Sequence, residues 1–258
     1  MPSPASASHR TAVLVLVAAW LRTLAAYFLV SLYILTVGPP GMVTAIVCRW
    51  PMALYWLGFQ GIRLGLWLVG IQVVARGIEH VVPGRAAVYC VNHTSHLEPP
   101  AVFLHLRPLF PRLQIIYKKE LQKTPVLGRV WDVAGFVPID RRDRVQSDAA
   151  IEQAARQMRQ GNSFLVFPEG TRSRTGELLP FKKGAFVLAL RARAPVVPVA
   201  ITGAASAMRR GSPVIRPVTM HLSFGEPIET AALRWEDRDA LMHEARERIA
   251  AMLARGAS

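Results

Sequence analysis

The sequence predicts an α/β fold, with a central mainly parallel or mixed sheet flanked by helices and an N-terminal apolar helical hairpin in front of it. Three observations carry this expectation. After Arg76, short apolar runs alternate with stretches of helical period, the pattern of a sheet whose strands are joined by helices. Before it, the chain is apolar and nearly free of charge. The whole has 258 residues, 52% of them hydrophobic, enough for one substantial core with an appendage. The expected division is 1–75 for membrane-associating helices and 76–258 for the α/β domain.

From Thr11 to Val37 the one charged residue is Arg22. As a helix rising about 1.5 Å per residue, this run can cross a hydrocarbon core of roughly 30 Å. Arg10 ahead of it leaves a signal peptide open, although the run is longer than a typical h-region. Gly38-Pro39-Pro40-Gly41 predicts a helix break. A second apolar stretch, Met52 to Val74, contains Gln60, Arg63, Gly58, Gly61, Gly65 and Gly70, which suits a helix packed closely on another surface or lying at an interface. Trp50, Tyr55, Trp56 and Trp67 are of the type found at headgroup level. Arg10 and Arg76 bracket both segments, in keeping with a hairpin that returns to the cytoplasmic side. A buried helical subdomain is the competing reading.

Strands are predicted at Ala86–Val91, Gln114–Tyr117, Gly135–Ile139, Ser163–Phe167, Val196–Ile201 and Val218–Phe224. Helices are predicted at Val145–Gln160 and Phe181–Ala192. In the tail, Ala231 to Arg255, residues Met242, Ala245, Ile249, Met252 and Leu253 share one helical face, as in a packing helix.

The balance of 31 basic against 17 acidic residues gives a formal charge of +14, compatible with anionic membranes and acidic substrates. The basic residues are scattered among apolar segments and form no nucleic-acid module, which argues against nucleic acid as a partner. Cys48 and Cys90 each lie in an apolar segment, with neither a disulfide framework nor metal-ligand spacing.

The stretch Asn92-His93-Thr94-Ser95-His96-Leu97-Glu98-Pro99 is the richest in chemistry. His93 and Glu98 would diverge on a regular helix, where five residues turn about 140° past a full revolution. The expected local order is a buried strand, a turn, and a helix beginning at Pro99-Pro100 with Glu98 near its N-cap. Such a corner can bend the two side chains together. The imidazole could then take a proton from a hydroxyl while the carboxylate holds the ring and stabilises its cation.

Further segments join this one: Lys118-Lys119-Glu120-Leu121, Pro125-Val126-Leu127-Gly128, Gly135-Phe136-Val137-Pro138-Ile139-Asp140-Arg141, Phe167-Pro168-Glu169-Gly170-Thr171-Arg172-Ser173, and Val196-Val197-Pro198-Val199-Ala200-Ile201. In this order and spacing they resemble the 1-acyl-sn-glycerol-3-phosphate acyltransferase family over roughly Val74 to Gly225. The resemblance implies a glycerolipid acyltransferase-like fold. It also implies acyl transfer from acyl-CoA or acyl carrier protein to the sn-2 hydroxyl of a lysophospholipid acceptor, giving phosphatidate, without a metal, cofactor or covalent acyl-enzyme.

In that likeness His93 falls on the catalytic histidine and Glu98 on a position usually held by aspartate, one methylene shorter. The histidine directly follows the asparagine, which favours His93 over His96 as the base. Glu169, Gly170, Thr171 and Arg172 fall on acceptor-binding positions, as do Lys118 and Arg141 in the second motif. Arg172 offers a planar fork suited to phosphate. Lys182-Lys183-Gly184 resembles a continuation of the third motif.

Partners implied are membrane lipids and an acyl thioester, at a cytoplasmic or inner membrane with the catalytic domain toward the cytoplasm. Other acceptors stay open, including another lysophospholipid, a lyso-aminolipid or a glycolipid. A non-catalytic lipid-binding protein is a distant alternative. A serine hydrolase is disfavoured because no G-x-S-x-G elbow is present.

Overall fold

The computed structural model describes residues 4–256 apart from Arg141 and Arg210. In chain order the elements are α1 (Pro4–Val47), α2 (Met52–Leu68), β1 (Ile71–Arg76), β2 (Val88–Val91), α3 (Glu98–His105), β3 (Leu113–Lys118), α4 (Leu127–Ala134), β4 (Val137–Ile139), α5 (Arg144–Arg159), β5 (Ser163–Val166), α6 (Gly184–Ala192), β6 (Val196–Thr202), α7 (Ala204–Ala207), β7 (Val218–Phe224) and α8 (Arg238–Gly256). The seven strands form one mixed sheet in the order β1-β7-β6-β2-β5-β3-β4. Among the strands of the described residues, the β6–β7 pairing is antiparallel and the others are parallel, so β1 and β7 run against the other five. Each of the six predicted strands is present.

Position in the sheet follows from composition. All four residues of β2 and of β5 are buried, as continuous apolar runs require when both faces are covered. Near the edge, β7 alternates, with Met220, Leu222 and Phe224 buried and Thr219 and His221 exposed. Along β2, Tyr89 and Val91 join one core and Val88 and Cys90 the other, because successive side chains point to opposite faces. The first core holds Ala26 of α1, Tyr55 and Leu66 of α2, and Val102 of α3. The second holds residues of α5, α6 and α8. In α8, Leu241, Ala245 and Ile249 are buried, so the tail packs as expected; its helix starts at Arg238, later than predicted.

Two local expectations are corrected. Helix α1 does not stop at Gly38-Pro39-Pro40-Gly41 but continues to Val47. Interior prolines each destabilise a helix by about 3 kcal/mol, and packing on both sides of the pair offsets this. A Cβ on Gly38 would lie 2.8 Å from Val126 Cγ1, and one on Gly41 would overlap Leu57. These glycines let α4 and α2 approach closely, and Thr44 Oγ1 donates to the Pro40 carbonyl at 2.9 Å. The second correction concerns Met52–Val74. Its helix ends at Leu68, Gly70 turns the chain at φ +72°, and Ile71 begins β1. The β-branched Ile71, Val73 and Val74 suit a strand, and the left-handed turn suits glycine.

The two N-terminal helices form an antiparallel hairpin. Val30 faces Gly65, Tyr33 faces Gly61, and Gly41 faces Leu57, so positions rise along one helix as they fall along the other. Tyr33 Oη donates to the Leu57 carbonyl at 2.9 Å. Helix α2 is also built into the core. Tyr55 is 2% exposed, its hydroxyl donates to Leu113 O of β3 at 2.6 Å, and its ring meets Phe103, Phe110 and Phe136. Helix α1 is tied on by Thr23, whose Oγ1 accepts from Ile215 N at 2.9 Å. Elsewhere α1 leaves Leu14, Leu21, Leu24, Phe28 and Leu35 exposed. Between Leu14 and Val47 it is long and apolar enough to cross a membrane.

Candidate active site

Strands β2 and β5 are parallel neighbours and end at the same edge of the sheet. The loop after β2 carries His93 and the loop after β5 carries Glu169, so the topology brings the two motifs together. Strand ends of this kind are the usual ligand-binding places in α/β domains.

Asn92 fixes where the chain leaves β2. Its Oδ1 accepts from Ile201 N at 2.8 Å and its Nδ2 donates to Ile201 O at 3.0 Å, locking the loop to β6. The next residues turn, and α3 begins with Glu98 as its first helical residue, followed by Pro99 and Pro100. Proline is tolerated there because those amides have no intrahelical partner.

The turn folds Glu98 back onto His93, with Oε2 2.7 Å from Nδ1. Oε1 accepts from Thr94 N at 2.8 Å and from Thr94 Oγ1. The carboxylate is wholly buried, while the imidazole is 17% exposed. A buried carboxylate held by amide and hydroxyl donors is fixed in direction. With Nδ1 donating to Glu98, Nε2 keeps its lone pair and turns away from the acid. The extra methylene of glutamate is thus accommodated within hydrogen-bond distance.

A second carboxylate braces the same corner. Glu169 is 2% exposed; its Oε1 accepts from His93 N at 2.6 Å and its Oε2 from Leu179 N at 3.0 Å. Burial pushes the Glu169 carboxyl above its ordinary range, and the two amide bonds pull it partly back. Ser173 N donates to His93 O at 2.8 Å, and the Phe167 ring lies 4.4 Å from the imidazole. The third motif therefore holds both the backbone and the ring of His93.

Of the residues expected at the site, His93, Glu98 and Glu169 meet directly. The Glu169 carboxylate faces inward to backbone amides, whereas the sequence expectation had it binding acceptor. Gly170 adopts φ +67°, with the Lys182 stem where a Cβ would stand. Thr171 is exposed and Arg172 half-buried. Arg172 is close enough to His96 to depress its pKa, after burial, which is the larger cause. Lys118 ends β3 at the same edge of the sheet, exposed and paired with Glu120 at 3.1 Å. Arg141 lies outside the described residues. Sequence reasoning gave no role to Asn92, Thr94, Phe167 or Leu179. An amide side chain directly after a strand, and a hydroxyl four residues before an acid, were the available signals for the first two.

Comparison with known proteins agrees with this architecture. The Acyltransferase family model matches residues 72–202. The chain is 35% identical over 195 residues to a 1-acyl-sn-glycerol-3-phosphate acyltransferase of Limnanthes douglasii, covering 74% of this chain and 68% of the relative. A protein of the same name from Borreliella burgdorferi is 31% identical over 140 residues, covering 54% of this chain and 55% of the relative. The crystal structure of the 1-acyl-sn-glycerophosphate acyltransferase PlsC from Thermotoga maritima shares the fold, with a TM-score of 0.76 at 22% identity over 91% of this chain and 97% of that one. With a family model spanning the sheet from β1 to β6 and relatives matching across most of its length, this chain belongs to the acyltransferase family that contains the 1-acyl-sn-glycerol-3-phosphate acyltransferases.

Proposed function

We propose that the protein transfers an acyl chain from a thioester to the sn-2 hydroxyl of 1-acyl-sn-glycerol-3-phosphate, making phosphatidate. The observation that carries this reading is the 2.7 Å contact between His93 Nδ1 and the fully buried Glu98 carboxylate, at a strand edge shared with the Glu169–Arg172 loop. The names of the matched relatives support the choice of acceptor.

An alcohol is a weak nucleophile at neutral pH. His93 Nε2 removes the hydroxyl proton as the oxygen attacks the thioester carbonyl, and Glu98 stabilises the imidazolium that forms. The tetrahedral intermediate collapses by breaking the carbon–sulfur bond. The imidazolium then returns its proton to the departing thiolate, leaving a new ester and a free thiol. Glu169 serves by holding the His93 backbone. Arg172 is the cation best suited by its fork to the acceptor phosphate, with Lys118 and Arg141 as further candidates.

The lipid acceptor and product belong in a membrane, and the exposed apolar surface of α1 supports seating there. In this reading the catalytic domain faces the cytoplasm, where acyl thioesters are made.

Conversion of lysophosphatidate to phosphatidate by the detergent-purified full chain, supplied with acyl-CoA or acyl carrier protein thioesters, tests the proposal. His93→Ala should lose roughly 10²–10⁴-fold in turnover. Full activity in that variant would remove His93 as the base. A wild type that acylates other lyso-lipids but not lysophosphatidate would overturn the acceptor.

A further inference from the structure

Glu98 meets its surroundings through both carboxylate oxygens. Oε2 lies 2.7 Å from His93 Nδ1, and the Thr94 hydroxyl donates to Oε1. The Thr94 amide donates to both, at 2.8 Å to Oε1 and 2.9 Å to Oε2. A carboxylate offers about four acceptor directions, and these contacts fill them. The side chain is wholly buried, so bulk water cannot stand in for a lost donor.

The contacts differ in what they fix. Rotation about the last side-chain bond of glutamate is broad and roughly two-fold, with no steep well to hold the carboxylate plane. An amide shared almost equally between the two oxygens centres the group without telling one oxygen from the other. The Thr94 hydroxyl does tell them apart, taking Oε1 alone and leaving Oε2 to the ring. The neutral ring has two tautomers, and a carboxylate, which only accepts, selects the one with its proton on Nδ1. Glu169 takes no part in this, since its oxygens accept from His93 N and Leu179 N.

We propose that Thr94 is a positioning residue for acyl transfer: its hydroxyl sets the plane of the Glu98 carboxylate, and through it the tautomer of His93. The inference rests on the acyl-transfer reading above and adds a residue to its machinery. The turn between β2 and α3 brings Thr94 back over Glu98, the first residue of that helix. This turn has its own brace in the Thr94 amide, which every side-chain replacement keeps, so the hydroxyl is left with the carboxylate as its partner.

Thr94→Val keeps the β-branch and the amide while removing the hydroxyl, and Thr94→Ser keeps the hydroxyl. In the full chain in detergent, Thr94→Val should lower kcat by about ten-fold or more, as loss of a hydrogen bond to a charged group does. KM for lysophosphatidate should stay within about two-fold, and Thr94→Ser should retain most of kcat. Glu98→Asp withdraws the carboxylate by one carbon–carbon bond, about 1.5 Å. In that background the valine should lower kcat much less than it does alone, because the hydroxyl acts through the glutamate. NMR of isotope-labelled histidine gives a readout that needs no turnover. At about pH 8, where an ordinary imidazole is neutral, the His93 signals, identified by their loss in His93→Gln, should show a protonated Nδ1 and an unprotonated Nε2. Those nitrogen shifts should move toward each other in Thr94→Val and stay apart in Thr94→Ser. Unchanged ring shifts in Thr94→Val, equal losses in the valine and serine variants, or an undiminished valine effect beside Glu98→Asp would overturn the proposal. Ring shifts that respond to the valine in a protein without acyl transfer would support the hold of Thr94 on the carboxylate while refuting the reaction assigned to His93.

Discussion

Glu98 and Glu169 are both buried carboxylates beside His93, yet they act on different parts of it. Glu98 meets the ring and Glu169 meets the backbone amide. Replacing Glu169 with Gln leaves one carbonyl oxygen for two amides, so either His93 N or Leu179 N would face an NH2 group. We expect Glu169→Gln to destabilise the protein by about 1–3 kcal/mol, measurable by urea unfolding in detergent. His96 gives a pH signature. Burial, with the Arg172 charge next, holds its pKa below the ordinary 6.5. The unfolded chain therefore binds the proton more readily, and stability should fall as pH drops below about 6.5 toward the folded-state value. His96→Gln should flatten that slope when unfolding is compared at pH 7.5 and 5.5. The His93–Glu98 pair was legible in the sequence because its geometry is local, set by a strand, a short turn and a proline-led helix. The inward role of Glu169 was not, because its partners lie 76 and 10 residues away in the chain.

The strands and the longer helices of the α/β domain were readable from period and length, because burial on one or both faces writes itself into apolar spacing. The N-terminal errors share a different cause. Gly38-Pro39-Pro40-Gly41 has the local chemistry of a break, but Val126 and Leu57 press into its glycines and sustain the helix. Ile71–Val74 continues an apolar stretch, so only its pairing with Val218–His221 of β7 distinguishes strand from helix. The close approach of α1 to α2 makes the small residues at their contact sensitive. A Cβ on Gly61 would lie 2.9 Å from Tyr33 Cε1, and Gly61→Val should cost about 1–3 kcal/mol by overpacking. Thermal unfolding of the detergent-solubilised variant would read this as a lowered midpoint. An unchanged midpoint would mean that the two helices separate freely.

At the scale of the whole molecule, two attractions to a membrane act together. The formal charge of +14 favours anionic headgroups and is screened by salt. The exposed apolar face of α1, with Phe28 68% and Leu24 56% exposed, is not. Binding to vesicles containing anionic lipid should weaken between about 50 mM and about 500 mM salt, without being abolished. Cosedimentation measures this, and complete release by salt would show that the apolar face contributes little. Composition disclosed the charge and the apolar N-terminus, but not how the hairpin is fastened. That depends on Thr23 meeting Ile215 and Tyr55 meeting Leu113, contacts between residues far apart in sequence.

The anchoring of Tyr55 has a practical consequence for anyone seeking a water-soluble enzyme by trimming. A polypeptide begun at Ile71 would lose the ring that covers Phe103, Phe110 and Phe136, together with Leu66 and Val69 of the same core. The cut would replace one greasy surface with another, directly over the helix that starts at Glu98. Removing the exposed apolar helix and keeping an intact corner around His93 are therefore competing aims in this protein.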